Sequence, residues 1–587
     1  MELAAAWVSP APVVLDSQGV DTLAQTSGHS LETSVIAKIG WGALIVVTLY
    51  ICYFSHLGAI GFVGPDEPRY AWIARDMMET GDWVTPRLYG KPWFEKPPLL
   101  YWEAGLCFKW FGVSETAARL PSAISALLAT LALAWLALRL YGAETARWLL
   151  LLLPTTAGMI GFSHAAATDM PFSGTLTIAM VCAAAILGLT RNENTPILPS
   201  TPWLALVLFG FFLGLAVLAK GPAAIVLCGG AVFLWALLTK RWRDALRLLH
   251  PVGIVAFCAT AMPWYIACAR RNPDFFRIFI IEHNFQRYLT PEFQHIQPFW
   301  FYVPVLLVAF LPWTALLLWS SIHGVIQLWR TRCAKESAWF LLCWAIFCVL
   351  FFSASQSKLP GYILPALPAI ALLISHLYVS QAAVHRKSFR LLMVLASFLF
   401  FALLATIIMI KPHVLPGDKR VGVIAAAIFG LLAAANLLLA FDRASQKSFF
   451  RFCAPASILP ALLAVLLIKD FIEGYFPWDP SGRGIARELK SKNIPASELA
   501  VGELDRGRHY GLNFYLHEEI QDWNRENSYR PYVLTTTHTC RTLDPVPLAC
   551  EPLPFYDTST AAFLYHVVMP GLARGPDGDR GQVQKKE

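Results

Sequence analysis

The sequence predicts an α-helical protein that crosses a membrane many times and carries a small α/β region near its C-terminal end. Of its 587 residues, 56% are hydrophobic and only 15% are charged, whereas soluble domains carry about 25% charged residues. Many windows of about 20 residues contain almost no charge, and a helix of that length crosses a bilayer. After residue 470 the chain becomes more polar, and short helix-like and strand-like segments alternate there.

The apolar runs locate the candidate spans. They number about thirteen, with boundaries that shift by a few residues. Their starting points lie near residues 39, 120, 146, 170, 203, 222, 247, 298, 337, 361, 391, 421 and 453.

The loops between the spans differ in charge on alternate sides. One set is basic throughout and includes Arg139 and Arg147, Arg191, Lys240 to Arg247, Arg330 to Lys335, Arg386 to Arg390, and Arg443 to Arg451. By the positive-inside rule this set is cytoplasmic. The net charge of +8 is explained by these loops and is no signature of nucleic-acid binding.

The domain organisation follows from the span pattern. Residues 1–38 form a polar cytoplasmic tail that lacks the basic and apolar regions of a signal peptide. Residues 39–469 form the transmembrane region, in which residues 64–119 are an outer loop. Residues 470–571 form an outer α/β domain, and residues 572–587, rich in Gly and Lys, a disordered tail.

Two segments of the outer loop predict helices. Asp66 and Glu67 followed by Pro68 are typical of a helix start, because acids favour the positive end of the helix dipole. The apolar and aromatic run from Leu99 to Phe111 predicts a helix that lies in the membrane interface.

The C-terminal region predicts one short helix and three strands. The helix is expected at Ile485–Lys492, and alternation predicts strands at Leu499–Glu503, Glu519–Trp523 and Tyr532–Thr536.

Most of the 12 cysteines fall within predicted spans, where they are expected to be small buried side chains. Cys540 and Cys550 lie instead in the polar C-terminal region. A disulfide between them is expected if that region faces an oxidising space, and two free thiols are the alternative.

Several polar residues in different loops are predicted to share the outer face. They are Asp66, Glu67, Arg69, Glu95, Lys96, Asp169, Lys220, His283, Arg287, Lys358 and Tyr362. Each alone has a structural explanation, such as a helix cap, an interfacial anchor or a snorkelling Lys. As a group, the cations suit an anionic lipid head group.

The carboxylates and the histidine of this group have two further uses. Asp66, Asp169 and Glu67 are candidates for acid–base chemistry, although Glu67 is more typical of a helix cap or of the partner of a basic side chain. Glu95 and His283 are of the ligand types that bind zinc or manganese, although no tight spacing predicts a metal motif. The sequence contains no Walker loop, HExxH or GxSxG pattern.

Six motifs between about residues 60 and 370 resemble those of the bacterial lipid A aminoarabinose transferases and the related protein O-mannosyltransferases. They are Asp66-Glu67-Pro68-Arg69-Tyr70, Lys91-Pro92-Trp93-Phe94-Glu95-Lys96-Pro97-Pro98, Ala167-Thr168-Asp169-Met170, Ala219-Lys220-Gly221-Pro222, Glu282-His283-Asn284-Phe285-Gln286-Arg287 and Ser357-Lys358-Leu359-Pro360-Gly361-Tyr362-Ile363-Leu364-Pro365. The chain departs from the family at Trp93, where Tyr is expected, and its C-terminal region carries no family motif.

The resemblance implies a fold and an activity. The fold would be a GT-C glycosyltransferase with juxtamembrane helices and an outer C-terminal domain. The donor would be a sugar linked to polyprenyl (undecaprenyl) phosphate, transferred on the periplasmic face of the bacterial inner membrane. Aminoarabinose transfer to lipid A is the favoured function. Transfer of a neutral hexose to another envelope glycan or protein, a lipid-linked-sugar transporter and a non-catalytic assembly subunit are the alternatives.

The resemblance also implies roles for individual residues. Asp66 would be the catalytic carboxylate and Asp169 the second essential acid. The residues that match Arg69, Lys96, Lys220 and Tyr362 would line the phosphate site of the lipid carrier. Because they share the predicted outer face, Glu67 is added to the catalytic candidates, and Arg287 and Lys358 are added to the phosphate-binding candidates. Glu95 and His283 would hold a divalent metal, either zinc, manganese or magnesium. Asp66 would act as a base on a hydroxyl acceptor, or as an orienting or charge-stabilising group beside a phosphate acceptor.

Overall fold

The computed structural model describes residues 39–190, 202–289, 296–331, 336–382, 384–414, 419–441, 453–475, 481–523, 530–537, 549–554 and 562–568, with residues 543 and 547. By its internal packing the chain divides into one unit that ends at Thr48 and a second that begins at Leu49. Apart from residues 39–48, the features described below belong to the second unit. The predicted tails over 1–38 and 572–587 lie outside the described residues, as does Cys540.

Helices form most of the structure up to residue 475. They are α1 (Ile39–Tyr53), α2 (Asp66–Thr80), α3 (Leu99–Phe111), α4 (Glu115–Tyr141), α5 (Ala143–Leu152), α6 (Ala157–Ser163), α7 (Asp169–Ile186), α8 (Pro202–Lys220), α9 (Ala223–Thr239), α10 (Trp242–Ala245), α11 (Pro251–Arg271), α12 (Arg287–Leu289), α13 (Tyr302–Ala309), α14 (Thr314–Thr331), α15 (Glu336–Ala354), α16 (Leu367–Gln381), α17 (Arg386–Val414), α18 (Lys419–Phe441) and α19 (Cys453–Tyr475). A π-helical stretch covers Arg277–Gln286, and a 3₁₀ turn, Pro360–Ala366, leads into α16.

The polytopic helical fold is confirmed. Within the described residues, seven helices are long and apolar enough to cross a membrane, or eight if the bent pair α5 and α6 forms one span. A helix or helix pair begins near each of the predicted starting points. Several of these helices are shorter than a full span, so the total of about thirteen spans stays a prediction.

Helices α2 and α3 begin at the residues that the sequence predicts. Asp66 and Glu67 occupy the first turn of α2, and Gly81 ends that helix with φ of 74°. Helix α3 runs from Leu99 to Phe111 as expected. The two helices pack on each other through apolar residues that include Tyr70, Ile73 and Tyr101.

A short antiparallel hairpin, which the sequence analysis did not predict, joins α2 to α3. Its strands are β1 (Arg87–Leu88) and β2 (Lys91–Pro92). Tyr89 and Gly90 form the turn with φ of 51° and 66°, and two successive positive φ values are what a tight hairpin turn requires. The hairpin places the following segment, Trp93–Lys96, next to Arg69 of α2.

The described residues of the C-terminal region form two α-helices, a 3₁₀ turn at Ala496–Glu498 and a five-stranded mixed sheet. The helices are α20 (Arg483–Ser491) and α21 (Arg506–Leu516), and the strands are β3 (Leu499–Gly502), β4 (Gln521–Asp522), β5 (Tyr532–Thr535), β6 (Ala549–Leu553) and β7 (Phe563–Val568). Their order is β4-β3-β5-β7-β6. β3 pairs in parallel with β4 and β5, whereas β7 is antiparallel to β5 and β6. The predicted helix and three strands lie within about two residues of these positions.

The outer loop and the C-terminal region share one hydrophobic core. Tyr510 and Phe514 of α21 are buried together with Phe62, residues of α2 and residues of α3. A small α/β domain is predicted over residues 470–571, and two further clusters of buried apolar residues lie within that region. Helix α21 of this region packs into the same core as the outer loop. It therefore lies next to α2, which carries several of the site residues described below.

Candidate active site

The first group of site residues lies on α2 and on the segment after the hairpin. Arg69 Nη2 donates to Asp66 Oδ1 at 2.6 Å and lies 2.9 Å from Glu95 Oε2. Lys96 Nζ lies 3.8 Å from the other oxygen of Glu95. Asp66, Arg69, Glu95 and Lys96 are called the first-loop cluster below. The spacing i, i+3 on α2 brings the Asp66 and Arg69 side chains together.

Aromatic rings surround Arg69. Its guanidinium carbon lies 5.2 Å from the centre of the Tyr70 ring, 5.3 Å from Trp93 and 5.9 Å from Tyr510. Burial alone would lower the pKa of Arg69, but the carboxylates of Glu95 and Asp66 raise it. The side chain is only 8% exposed. Arg69 is therefore a fixed charge that orients two carboxylates, and its predicted contact with a lipid phosphate stays a prediction.

The second group of site residues lies at the ends of spans. Asp169 begins α7, and Lys220 is the last residue of α8. Lys220 Nζ donates to Asp169 Oδ1 at 2.5 Å and lies 4.4 Å from the centre of the Tyr362 ring. Asp169, Lys220 and Tyr362 are called the span-end cluster. A Cβ at Gly361 would lie 2.8 Å from Asp169 Oδ1, so glycine is needed for this close approach.

Glu67 connects the two clusters without belonging to either. Its carboxylate accepts from Arg119 Nε at 3.0 Å and Arg119 Nη2 at 2.8 Å. It also accepts from the backbone N–H of Val63 at 2.7 Å and of Ala166 at 2.6 Å. Ala166 belongs to the turn that precedes Asp169. Glu67 therefore ties α2 to the start of α7.

The geometry corrects the predicted role of Glu67. Both of its oxygens already accept two hydrogen bonds, and its side chain is only 7% exposed. Arg119 uses its remaining donors on the carbonyls of Leu57, Ile60 and Gly61. A carboxylate with this environment positions its neighbours and has no free lone pair for a substrate proton.

Lys358 is also a structural residue. Its Nζ donates to the backbone carbonyls of Ser355 at 2.5 Å and Gln297 at 3.0 Å, and the residue is buried. These bonds hold the segment that leads to Tyr362. Lys358 therefore supports that segment, and its predicted phosphate contact stays a prediction.

The structure does not settle two further predicted residues. The side chain of Arg287 lies outside the described residues, and its phosphate contact stays a prediction. His283 lies on the π-helical stretch. The carbonyl of Tyr288, five residues further on, accepts from Gln356 N at 3.0 Å, which places this loop beside the segment of Tyr362.

The surroundings of Glu95 do not fit a resident metal. Both of its oxygens face cations, Arg69 at one and Lys96 at the other, and a divalent ion would be repelled by them. Among the described residues, no group of three or more His, Cys, Asp and Glu side chains is close enough to hold a metal. The predicted metal at Glu95 and His283 gains no support.

The loops that were predicted to share the outer face do contact one another. Trp264 Nε1 of α11 donates to the carbonyl of Val84 at 2.9 Å. Phe94 packs edge-on against Phe275 at 5.2 Å between ring centres. Together with the Glu67 and Lys220 contacts, these place the outer loop, the turn before α7 and the ends of α8 and α11 on one side of the helices.

Sequence reasoning missed three contributors to this site. Arg119 lies near the start of an apolar span, four residues after Glu115, and a charge at such a position is a recognisable signal of a buried partner. Lys469, next to Asp470 in α19, donates to the carbonyls of Ile51 and Ser55 at 2.6 and 3.0 Å. It also lies 2.9 Å from His164 Nε2, just before the Asp169 turn. Tyr510 carried no such signal.

The predicted disulfide is partly visible. Cys550 of β6 is disulfide-bonded. Because Cys540 lies outside the described residues, its pairing with Cys550 stays a prediction.

Comparison with known proteins identifies the family. Residues 41–279 match the family model described as dolichyl-phosphate-mannose-protein mannosyltransferase. A protein of Serratia proteamaculans named undecaprenyl phosphate-alpha-4-amino-4-deoxy-L-arabinose arabinosyl transferase is 31% identical over 80% of this chain and 80% of its own length. A protein of Sodalis glossinidius with the same name and the suffix 2 is 32% identical over 83% of this chain and 91% of its own length.

A solved structure has the same fold. It is the crystal structure of ArnT from Cupriavidus metallidurans bound to undecaprenyl phosphate, with a TM-score of 0.72 and 24% identity over 92% of this chain and 99% of that one. The expected GT-C fold is thereby confirmed. The chain belongs to the family of undecaprenyl phosphate-α-4-amino-4-deoxy-L-arabinose arabinosyl transferases.

Proposed function

We propose that this protein transfers 4-amino-4-deoxy-L-arabinose from undecaprenyl phosphate to lipid A on the periplasmic face of the bacterial inner membrane. One observation carries the proposal. Asp66 is 51% exposed, whereas the carboxylates of Glu67, Glu95 and Asp169 are largely covered. Within the part of the site that the structure describes, Asp66 is thus the acid best placed to meet a substrate, and Arg69 fixes its orientation.

The leaving group explains the cations. Displacement at the anomeric carbon forms a bond to the acceptor oxygen and breaks the bond to the phosphate oxygen, which leaves with the electron pair. Negative charge grows on the phosphate in the transition state, and fixed cations stabilise it. Lys96 lies 3.8 Å from a Glu95 oxygen and Lys220 donates to Asp169, and an incoming phosphate would join these pairs as a further anionic ligand.

The acceptor determines the work of Asp66. A lipid A phosphate is already ionised and needs no base to remove a proton. Beside such an acceptor, the Asp66 carboxylate stabilises positive charge that develops at the sugar ring and orients the incoming oxygen. A hydroxyl acceptor would instead require Asp66 as a base, an effect worth about 10²–10⁴-fold in rate.

The position of the charges disfavours a transporter. Transporter sites lie near the bilayer midplane, at broken helices. Here Asp169 is the first residue of α7 and Lys220 the last of α8, so the polar groups gather at the ends of spans. That placement suits transfer between two lipids that both present their head groups at one surface.

The test is mass spectrometry of lipid A from a host that lacks its own transferase but makes the donor. Cells expressing the parent chain should gain one aminopentose per modified lipid A, and cells expressing Asp66→Asn should not. Asp274→Asn is the matched control, because Asp274 is an exposed acid that pairs only with Arg277 among the described contacts. No added aminopentose despite verified membrane expression of the parent would refute the proposed donor–acceptor pair.

A further inference from the structure

Helix α21 of the C-terminal region lies across the part of α2 that carries the first-loop cluster. Near its start, Gly507 lies so close to Gly64 that a Cβ would approach the Gly64 carbonyl oxygen at 3.0 Å. In the middle, Tyr510 covers Arg69 at 5.9 Å. At its end, the Phe514 carbonyl accepts from Arg75 Nη1 at 3.0 Å. Most of α21, from Gly507 to Phe514, therefore lies against α2 and the loop just before it.

Hydrogen bonds fix the position of α21 on both sides. Asp505 caps its first turn by accepting from Arg508 N at 3.1 Å. The hydroxyl of Tyr89, at the tip of the hairpin, lies 3.1 Å from His509 Nε2 and accepts from Asn513 Nδ2 at 3.0 Å. His509 directly precedes Tyr510 and Asn513 follows it by three residues, so these bonds hold the helical turn that carries Tyr510 in place.

The covering ring changes the electrostatics of the cluster. Tyr70 and Trp93 come from the outer loop itself, and Tyr510 adds an aromatic neighbour from a distant part of the chain. Excluding water from one side of a guanidinium strengthens its attraction to the carboxylates that it holds. Arg69 bonds Asp66 and Glu95 through the same nitrogen, so a small rotation of the guanidinium would disturb both bonds.

We propose that Tyr510 is a positioning residue for the transfer reaction, which it serves by keeping Arg69 desolvated and aligned with Asp66 and Glu95. The inference rests on the proposed function only for its kinetic readout. It also gives the C-terminal region a direct role at the site. The ring is the active part of Tyr510, because no hydrogen bond of its hydroxyl is seen among the described residues.

The experiment compares Tyr510→Ala, Tyr510→Phe and Phe514→Ala in the purified full-length protein. Phe514 is the matched control, because it is buried in the same core one turn further along α21 and does not cover Arg69. Tyr510→Ala should lower kcat by about 10–100-fold with KM for the donor nearly unchanged, since misplaced catalytic groups cost turnover. Tyr510→Phe should stay within about threefold of the parent, because a phenyl ring retains the cation–π contact.

A second readout is independent of transfer activity. Arginine modification by phenylglyoxal, mapped by mass spectrometry, should label Arg69 about fivefold faster in Tyr510→Ala than in the parent or in Phe514→Ala, because the ring no longer shields it. If the parent transfers no aminoarabinose, the proposed function fails and this labelling still tests the inference. Equal labelling of Arg69 in all variants would overturn it. So would equal losses of kcat and thermal stability in Tyr510→Ala and Phe514→Ala, or a Tyr510→Phe variant as impaired as Tyr510→Ala.

Discussion

Replacing Glu67 by Gln should disturb the whole site, although Glu67 has no free lone pair for a substrate. The carboxylate accepts four hydrogen bonds, two of them from the buried Arg119. The amide of Gln has one oxygen and one NH₂ group, so two of the four donors would face another donor. Arg119 would also lose its counter-charge while only 2% exposed. Breaking a buried ion pair on one side costs about 3–5 kcal/mol.

The assay compares thermal unfolding in detergent with aminoarabinose transfer. Glu67→Gln should lower both the unfolding temperature and the turnover, because the α2 start and the Asp169 turn lose their common anchor. Glu79→Gln is the matched control on the same helix. Glu79 pairs with Arg75 and with His517 and is 36% exposed, and an exposed pair contributes only about 0.2–1 kcal/mol.

Two results would refute this reasoning. Unchanged stability with lost turnover would show that Glu67 takes part in the chemistry, as the sequence motif alone suggested. Unchanged stability and turnover would show that the hydrogen bonds of Glu67 do not fix the site. The positioning role requires both quantities to fall together, and to fall further than in Glu79→Gln.

Two other predictions concern the span-end cluster and the pH dependence of stability. Gly361→Ala should lower turnover by up to about 100-fold, because the new Cβ would lie 2.8 Å from both Asp169 Oδ1 and the Phe162 ring. Gly161→Ala is the control: its Cβ would meet no atom within 4 Å, so its turnover should match that of the parent. Equal turnover of the two variants would contradict this prediction. Burial raises the pKa of Glu103 from 4.5 to about 8, so the folded state holds this proton more tightly than the unfolded state and stability should fall as pH rises from about 4.5 to 8. Across that pH range, the unfolding temperature of Glu103→Gln should decline less than that of the parent. An equal decline of the unfolding temperature with pH in the two proteins would contradict this prediction.

Local patterns predicted the elements that carry the site. Acids next to a Pro marked the start of α2, and an aromatic run marked α3 from Leu99 to Phe111. Charge alternation between loops correctly grouped Asp66, Asp169 and Lys220 on one side. These features depend on residues close in sequence, or on a property summed over a whole loop, so a single chain reveals them.

The partners of individual side chains could not be predicted in the same way. Lys220 and Lys358 each stand two residues before a Pro, yet Lys220 contacts a carboxylate and an aromatic ring, whereas Lys358 donates to two backbone carbonyls. The difference arises from how distant helices pack. Tyr510 and Arg69 are 441 positions apart in the chain, and no sequence pattern near either residue predicts their contact.

The geometry gives a physical reason for the spacing in Asp66-Glu67-Pro68-Arg69. Successive residues of an α-helix are rotated by about 100°, and residues three apart lie on nearly the same side. Asp66 and Arg69 therefore share one side of α2, where Arg69 holds the exposed carboxylate in place. Glu67 points away from them toward Arg119 and the turn before Asp169. Two adjacent acids thus do different work because one residue of helical rotation separates them, and moving either acid by one position would remove it from its partners.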